Sequence, residues 1–178
     1  MERNLSKGVT NIYDYAEVII RRAELSEVDK VRAIVKEAYA PIKKQLSRNP
    51  AALEEGLSKI SRHIQMGDQY VALVGENLVG TMRVRLRGQV GIVSRLAVAS
   101  KYRGRRIGIT LMDHAERLLT DRGATIIEVE VYGAIDAQLS FYERLGFVEY
   151  GRIERLKEEI VQMRKSLIEE EIDEEDDY

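Results

Sequence analysis

The segment from Val93 to Ile109 has residue types that suit the binding of a phosphate-bearing ligand. A hydrophobic strand pattern leads there into a loop with Gly104 and Gly108, and then directly into a long amphipathic helix pattern. Such a junction directs several backbone N–H groups, and the positive end of the helix dipole, toward one point. A phosphate can bind there without a specific side chain. The loop also carries three arginines that add positive charge: Arg103, Arg105 and Arg106.

Three other interpretations of the loop from Arg103 to Gly108 are a solvated basic loop, a P-loop and a dinucleotide-binding fingerprint. A helix start with a solvated basic loop has the same appearance, and the segment alone leaves that alternative open. A P-loop is excluded because no Gly-Lys-Ser or Gly-Lys-Thr triplet is present. A dinucleotide fingerprint fits poorly, since Gly104 and Gly108 do not have the G-x-G-x-x-G spacing.

Two motifs carry a resemblance to a known family. Arg103–Gly108 (RGRRIG), preceded by the strand residues Leu96–Val98 (LAV), resembles motif A of the GNAT family of N-acetyltransferases, Gln/Arg-x-x-Gly-x-Gly/Ala. Arg106 occupies the place where the family usually has its first glycine. Downstream, Phe141–Phe147 (FYERLGF) resembles the family signature F/L-Y-x-x-x-G-F. The resemblance covers roughly residues 16–168 and includes the order of the predicted elements.

The resemblance implies how acetyl-CoA would bind as co-substrate. In the family, the fourth and fifth strands are splayed apart by a bulge, and the pantetheine arm lies in the gap. Three residues would bond the arm through their backbone: Leu96, Ala97 and Val98. The residues that would wrap the pyrophosphate are Arg103, Gly104, Arg105, Arg106, Ile107, Gly108 and Ile109.

Tyr142 matches the family tyrosine whose hydroxyl faces the CoA sulfur. The resemblance therefore implies that Tyr142 also lies at the cofactor and acts as the general acid. A phenol with a reference pKa of about 10 is protonated at neutral pH and can donate this proton. The alternative is a core tyrosine whose hydroxyl is hydrogen-bonded elsewhere.

The sequence does not single out a general base. Glu130 and Glu128 lie on one face of the candidate fifth strand, and we take them as the candidate bases. Glu37 lies late on the first predicted helix, near the expected acceptor cleft. Each of these acids also fits a solvated surface position, and a water relay would serve the same purpose.

The composition excludes several other kinds of site. The chain has 178 residues, no cysteine and two histidines, so it has no thiolate nucleophile and no ligand spacing for a zinc site. No metal is expected. No apolar run is long enough to cross a bilayer, and the N-terminus lacks a signal-peptide pattern. We therefore expect a cytoplasmic protein without a membrane partner.

Charge is distributed unevenly along the chain. Residues 169–178 contain eight of the 30 acids and none of the 28 bases, which leaves residues 1–168 with a net charge of +6. A basic body suits an anionic ligand. The acidic tail has too little apolar surface to repay the entropy of ordering, so we expect residues 169–178 to be disordered. Residues 1–15 are polar and are expected to form a loose N-terminal arm.

Arg83, Arg85 and Arg87 alternate with apolar residues, so the pattern predicts that all three point to one sheet face. A solvated face is the preferred interpretation. A site for an acidic acceptor or for nucleic acid is the alternative. No aromatic residues are interleaved with these arginines for stacking on bases, so a nucleic-acid partner is not expected.

Hydrophobic periodicity predicts the elements and the fold class. The predicted order is a strand (16–22), two helices (28–41 and 51–66), three strands (70–74, 78–87 and 90–98), a helix (106–122), a strand (125–131), a helix (136–145) and two strands (147–150 and 159–167). This order predicts one α/β domain over residues 16–168, with a mixed, largely antiparallel sheet and helices on both faces.

The predicted function is transfer of an acetyl group from acetyl-CoA to a primary amine. The acceptor is a small molecule or a peptide that the sequence does not identify, and a homodimer is left open. Two rivals remain, a non-catalytic acyl-CoA-binding regulator and, less favoured, a nucleic-acid-binding module.

Overall fold

A computed structural model describes residues 17–169 of the chain. The predicted arm (1–15) and all of the predicted acidic tail except Glu169 lie outside the described residues. The strands are β1 (Val18–Arg22), β2 (Gln69–Val74), β3 (Asn77–Arg87), β4 (Val90–Val98), β5 (Ile126–Tyr132), β6 (Val148–Arg155) and β7 (Glu158–Ser166). The helices are α1 (Val28–Tyr39), α2 (Ala51–Glu54), α3 (Leu57–Gln65), α4 (Ile107–Asp121) and α5 (Asp136–Arg144).

The strands form one seven-stranded sheet in the order β1-β2-β3-β4-β5-β7-β6. Every neighbouring pair is antiparallel except β4 with β5, which is parallel. The parallel pair therefore joins two antiparallel groups of strands, β1 to β4 on one side and β5, β7 and β6 on the other. The predicted mixed, largely antiparallel sheet is confirmed.

Helices cover the two sheet faces unequally. On one face, α4 and α5 pack over a core that includes Leu111, Met112 and Phe147. On the other face, α1 contacts β3 and β4, and α3 contacts β2, over two smaller apolar clusters. Along β5, Val129 faces the larger core, while Glu128 and Glu130 alternate with it and point to the opposite face. Acidic side chains of β5 are thus directed to the face on which α1 to α3 lie.

The single helix predicted over residues 51–66 is wrong, because the chain there forms two helices. Glu55 (φ −74°, ψ 118°) and Gly56 (φ −80°, ψ 165°) have extended backbones between α2 and α3. The break directs the side chain of Glu55 into the interior, where only 6% of Glu55 is exposed. Leu57, the first residue of α3, is 37% exposed.

The prediction of one solvated arginine face is wrong for Arg83. Arg83 is 5% exposed, and both terminal nitrogens of its guanidinium donate to the carboxylate of Glu55. Arg85 and Arg87 are exposed as predicted. A counter-charge from a distant element allows an arginine to be buried where the strand pattern alone predicts solvent.

The last hairpin is longer than predicted. Strand β6 continues to Arg155, well beyond the predicted end at Tyr150, and turns into β7 through Leu156 and Lys157. Both turn residues have positive φ, at 53° and 66°. A turn of this kind usually contains Gly or Asn, so the usual sequence signal is missing. Within residues 17–169, no helix combines the length and apolar character required to span a membrane.

Candidate active site

A cleft of about 1430 Å³ opens where β4 and β5 separate. Strands β4 and β5 pair over only three positions, Val90 with Ile126 through Ile92 with Glu128. The end of α1, the start of α4, helix α5 and the β6–β7 turn complete the lining. The cleft therefore joins the open edge of β4 to the acidic face of β5.

A β-bulge marks the place where the two strands separate. Thr81 pairs with Ala97 and Arg83 with Ser94, so Arg95 and Leu96 together oppose the single residue Met82 of β3. Beyond the bulge, all three strand residues expected at the pantetheine arm line the cleft: Leu96, Ala97 and Val98.

The loop that leads into α4 presents a run of unpaired amides. Within residues 17–169, no backbone N–H from Gly104 to Ile109 donates a hydrogen bond, and the first bonded amide is that of Thr110, to Arg106 O at 2.9 Å. Six of the residues predicted at the pyrophosphate line the cleft: Arg103, Gly104, Arg106, Ile107, Gly108 and Ile109. The unpaired amides and the start of the helix provide an anion site on this side of the cleft.

The arginines of this loop have different positions. The guanidinium of Arg105 is stacked over Tyr102, 5.2 Å from the ring centroid, and Arg105 is not part of the cleft lining. Its side chain is therefore not placed as predicted, although its amide belongs to the unpaired run. Arg106, at the N-cap of α4, has a left-handed backbone with φ 61° and ψ 16°. This is the position where the family motif has glycine, which adopts that conformation without steric cost.

Tyr142 lines the cleft from helix α5. Its ring packs edge-on against Phe141 and Phe147, with centroid distances of 5.0 and 5.4 Å. The residue is 9% exposed, and its hydroxyl has no hydrogen-bond partner among the described residues. Burial, with a smaller contribution from Tyr39, raises the pKa of this hydroxyl above its ordinary value of 10. The hydroxyl is thus protonated and free to donate into the cleft.

Tyr39, at the end of α1, is a cleft residue that the sequence did not single out. Its hydroxyl donates to the carbonyl of Leu96 at 3.3 Å, and burial raises its pKa to about 12. In the sequence, Tyr39 only continues the apolar spacing of Ile34 and Val35, which is the ordinary pattern of a core residue. Only the packing of α1 on β4 reveals its polar contact with the bulge.

The position of Glu37 does not suit a general base, because its carboxylate is bound to Ser100 and lies outside the cleft lining. Its carboxylate accepts from the backbone N–H of Ser100 at 2.9 Å and also from the Ser100 hydroxyl. These two hydrogen bonds, that of the hydroxyl first, lower the pKa of Glu37. Glu37 ties α1 to the short turn at Ser100–Tyr102 and does not line the cleft.

The two candidate bases on β5 differ in their partners. Glu130 forms a bidentate ion pair with Arg155, with distances of 2.6 and 3.2 Å. Glu128 has no ion pair among the described residues and lies beside Tyr150, whose pKa is raised by burial and then by the Glu128 carboxylate. Both glutamates line the cleft. Glu128 is the one whose carboxylate is not neutralised by an arginine.

The cleft is bridged at its outer side. Glu158, at the start of β7, accepts from the backbone N–H of Ser47 in a close contact and from that of Arg48 at 3.3 Å. The β6–β7 turn and the loop before α2 thus touch across the cleft. In the described part of the chain, no group of three or more His, Asp or Glu side chains is arranged to hold a metal ion.

Comparisons with known proteins show the family of this chain. A sequence family described as "Acetyltransferase (GNAT) family" matches residues 34–147. The chain is 34% identical over 91 residues to N-alpha-acetyltransferase 30 of Schizosaccharomyces pombe, which covers 48% of this chain and 61% of that protein. The match to this curated relative thus spans less than two thirds of the relative's length.

Solved structures share the fold. PaiA N-acetyltransferase from Thermoplasma acidophilum, solved in complex with coenzyme A, superposes with a TM-score of 0.73 at 17% identity, over 84% of this chain and 99% of that chain. The ribosomal-protein-S18-alanine N-acetyltransferase of Escherichia coli superposes with a TM-score of 0.70 at 16% identity, over 85% and 94% of the two chains.

Proposed function

The chain belongs to the acetyltransferase (GNAT) family, and from this premise we propose that it transfers an acetyl group from acetyl-CoA to a primary amine. One observation carries the proposal. The unpaired amides from Gly104 to Ile109 and the open edge of β4 border the same cleft. The first feature suits a pyrophosphate and the second suits an extended, amide-containing arm.

The residues that line the cleft fit acetyl-CoA. Amides and positive charge at Arg103 and Arg106 would hold the pyrophosphate, and the backbone of Leu96, Ala97 and Val98 would bond the pantetheine arm. When bound, acetyl-CoA supplies the acetyl group as an activated thioester. The remaining chemistry is proton transfer by residues of this chain.

Two proton transfers are required, and the cleft offers a group for each. The amine must lose a proton to become nucleophilic, and Glu128 is the carboxylate available to accept it. As the new N–C bond forms and the C–S bond breaks, Tyr142 donates a proton to the departing sulfur. The raised pKa of Tyr142 keeps that proton on the hydroxyl at neutral pH.

The acceptor is a small-molecule or peptide amine. Two similar proteins are named as an N-alpha-acetyltransferase and a ribosomal-protein-S18-alanine N-acetyltransferase, so the N-terminal amine of a peptide is the first acceptor to test. A cytoplasmic location remains a prediction, and so does the alternative that the protein forms a homodimer.

An acceptor screen with thiol detection tests the proposal. Peptides with a free N-terminus are compared with the same peptides blocked at the N-terminus but carrying a free lysine, and with polyamines. Release of CoA that depends on one acceptor class, and acetylation of that acceptor by mass spectrometry, is the expected result. Tight binding of acetyl-CoA without turnover on any acceptor would contradict it.

A non-catalytic acyl-CoA-binding regulator is the second candidate function. It is favoured by the engagement of Glu130 with Arg155 and of Glu37 with Ser100, which leaves fewer free bases near the cleft. The same screen separates the two functions, because the regulator binds acetyl-CoA and releases no thiol.

A further inference from the structure

The bulge in β4 has an unusual backbone. Its first residue, Arg95, has φ 55°, in the left-handed region. Bulges whose first residue is left-handed are usually built with glycine, because a side chain there meets the carbonyl oxygen that follows. Arg95 therefore needs support from other residues to keep this conformation.

Glu55 provides that support from the helical side of the sheet. Nε of Arg95 donates to Oε2 of Glu55 at 3.2 Å. The same carboxylate is held by the buried guanidinium of Arg83 and by Lys59, whose Nζ lies 3.5 Å from Oε2. Arg83 in turn donates from Nε to Gln69 at 3.2 Å. The anchor for Arg95 is thus a buried carboxylate that is itself fixed by other elements.

The second bulge residue is held from the same side. The carbonyl of Leu96 accepts from Tyr39 of α1 at 3.3 Å. Both residues of the bulge are therefore tied to the segment that contains α1 and the break between α2 and α3. Pairing of β4 with β5 ends at Ile92, three residues before Arg95, so the bulge lies beside the start of the gap.

We propose that Glu55 and Arg95 form a latch that holds the bulge of β4 and keeps the gap between β4 and β5 open for the pantetheine arm. The inference rests on the proposed use of acetyl-CoA. Glu55 and Arg95 are positioning residues, since they act on the backbone of β4. Arg95 also lines the cleft, so direct contact of its guanidinium with a ligand is the alternative to be tested.

Two substitutions of Arg95 separate these roles. Arg95→Ala and Arg95→Gly both remove the guanidinium, but only glycine adopts the left-handed conformation without cost. By isothermal titration with CoA, we expect Arg95→Ala to weaken binding about tenfold and Arg95→Gly to stay within about twofold of wild type. Equal weakening by both variants would show direct contact and overturn the latch, as would unchanged affinity in Arg95→Ala.

A rescue experiment examines Glu55. Glu55→Gln should weaken CoA binding, and adding Arg95→Gly to it should restore the affinity, because glycine does not need the anchor. Arg62→Gln is the matched control: it removes an exposed charge of α3 that has no ion pair with the described residues and does not line the cleft, and CoA affinity should not change. Failure of Arg95→Gly to restore affinity in folded Glu55→Gln would contradict the latch.

A measurement without ligand keeps the inference separate from the proposed function. In thermal unfolding without CoA, Arg95→Gly should melt about 3 °C above Arg95→Ala. In an ordinary strand position the order is opposite, since glycine is less favourable than alanine. The opposite order would overturn the latch whatever binds the cleft, whereas a wild-type protein that does not bind CoA would overturn the proposed function.

Discussion

Tyr142 combines a buried ring with a hydroxyl that has no partner among the described residues. The ring packs against Phe141 and Phe147, which fixes its position without using the hydroxyl. Burial raises its pKa above the ordinary value of 10. A hydroxyl with a raised pKa retains its proton through the whole neutral range, so the proton is present when the sulfur begins to depart.

Tyr142→Phe should lower kcat about 10²-fold, because the ring remains and only the donated proton is lost. CoA affinity should be nearly unchanged. Steady-state kinetics with the acceptor found in the screen, and titration with CoA, measure the two effects. Tyr70→Phe is the control, a buried tyrosine outside the cleft lining whose hydroxyl accepts from Arg122 at 3.1 Å. An unchanged kcat in Tyr142→Phe, with chemistry shown to be rate-limiting, would remove the general-acid role.

The two glutamates of β5 should respond differently to neutralisation. Glu128→Gln should lower kcat/KM by about 10²-fold, since the unpaired carboxylate is the candidate base. Glu130→Gln only breaks the exposed ion pair with Arg155, so kcat/KM should stay within about fivefold of wild type. The reverse pattern would assign the base to Glu130.

Arg106 carries a conformational cost that glycine would remove. Its φ of 61° at the N-cap of α4 is disfavoured for any residue with a Cβ. Arg106→Gly should therefore be about 1 kcal/mol more stable to urea than Arg106→Ala. Both variants lose the same charge, so the difference reports the backbone alone. Equal unfolding midpoints would mean that the loop relaxes to a different conformation.

The position of a candidate residue at the cleft was predictable where a local motif names that residue. Tyr142 and the amides near Gly108 follow from the pattern of the segment itself. Glu37 was misplaced because its partner, Ser100, is 63 residues away, and no local pattern indicates that contact. The contact of Tyr39 with Leu96 was missed for the same reason.

At the scale of elements, the break between α2 and α3 directs the carboxylate of Glu55 into the interior of the protein. Burial opposes ionisation of Glu55, yet the hydrogen bond and charge of Arg83, with the charges of Arg95 and Lys59, hold its pKa at about 2, below the ordinary 4.5. The break thus creates a buried carboxylate that is ionised at all but very acidic pH.

Glu55 should make stability depend on pH in the acidic range. Because its folded pKa is lowered, the stabilisation is fully present above about pH 4.5 and is lost as pH falls toward 2. Glu55→Gln should cost about 3 kcal/mol at neutral pH, and the difference from wild type should shrink in that window. Urea unfolding of wild type and Glu55→Gln at pH values from about 7 to about 2.5 measures this difference in stability. Exposed Glu54→Gln is the control, and a difference that is constant with pH would contradict the assignment.

The order of the elements was predictable from periodicity and turn signals, and their interruptions were not. The break at Glu55 depends on a partner in β3, and the turn at Leu156 lacks the residues that usually mark a hairpin. Local patterns determine which segments become helices and strands, whereas long-range pairing determines where these elements end.

At the scale of the whole molecule, ligand binding should raise the free energy of unfolding. Saturation with acetyl-CoA at 100 times its Kd should add about 2.7 kcal/mol, seen as a higher melting temperature. Gly108→Val should abolish most of this shift, because a Cβ at Gly108 already lies 3.4 Å from the Phe141 ring and further methyl groups would obstruct the amides. The unliganded variant provides the baseline. A full shift in Gly108→Val would place the cofactor elsewhere.

The short ladder between β4 and β5 also has a consequence for folding cooperativity. Only three register pairs connect β1–β4 to the group of β5, β7 and β6, so the sheet has a weak seam at its centre. Backbone amides on either side of this seam should exchange with solvent as two units of unequal protection in the free protein. A ligand lying in the gap would bridge the seam and merge the two units, so the acetyl donor would act as a missing strand in the unfolding of the chain.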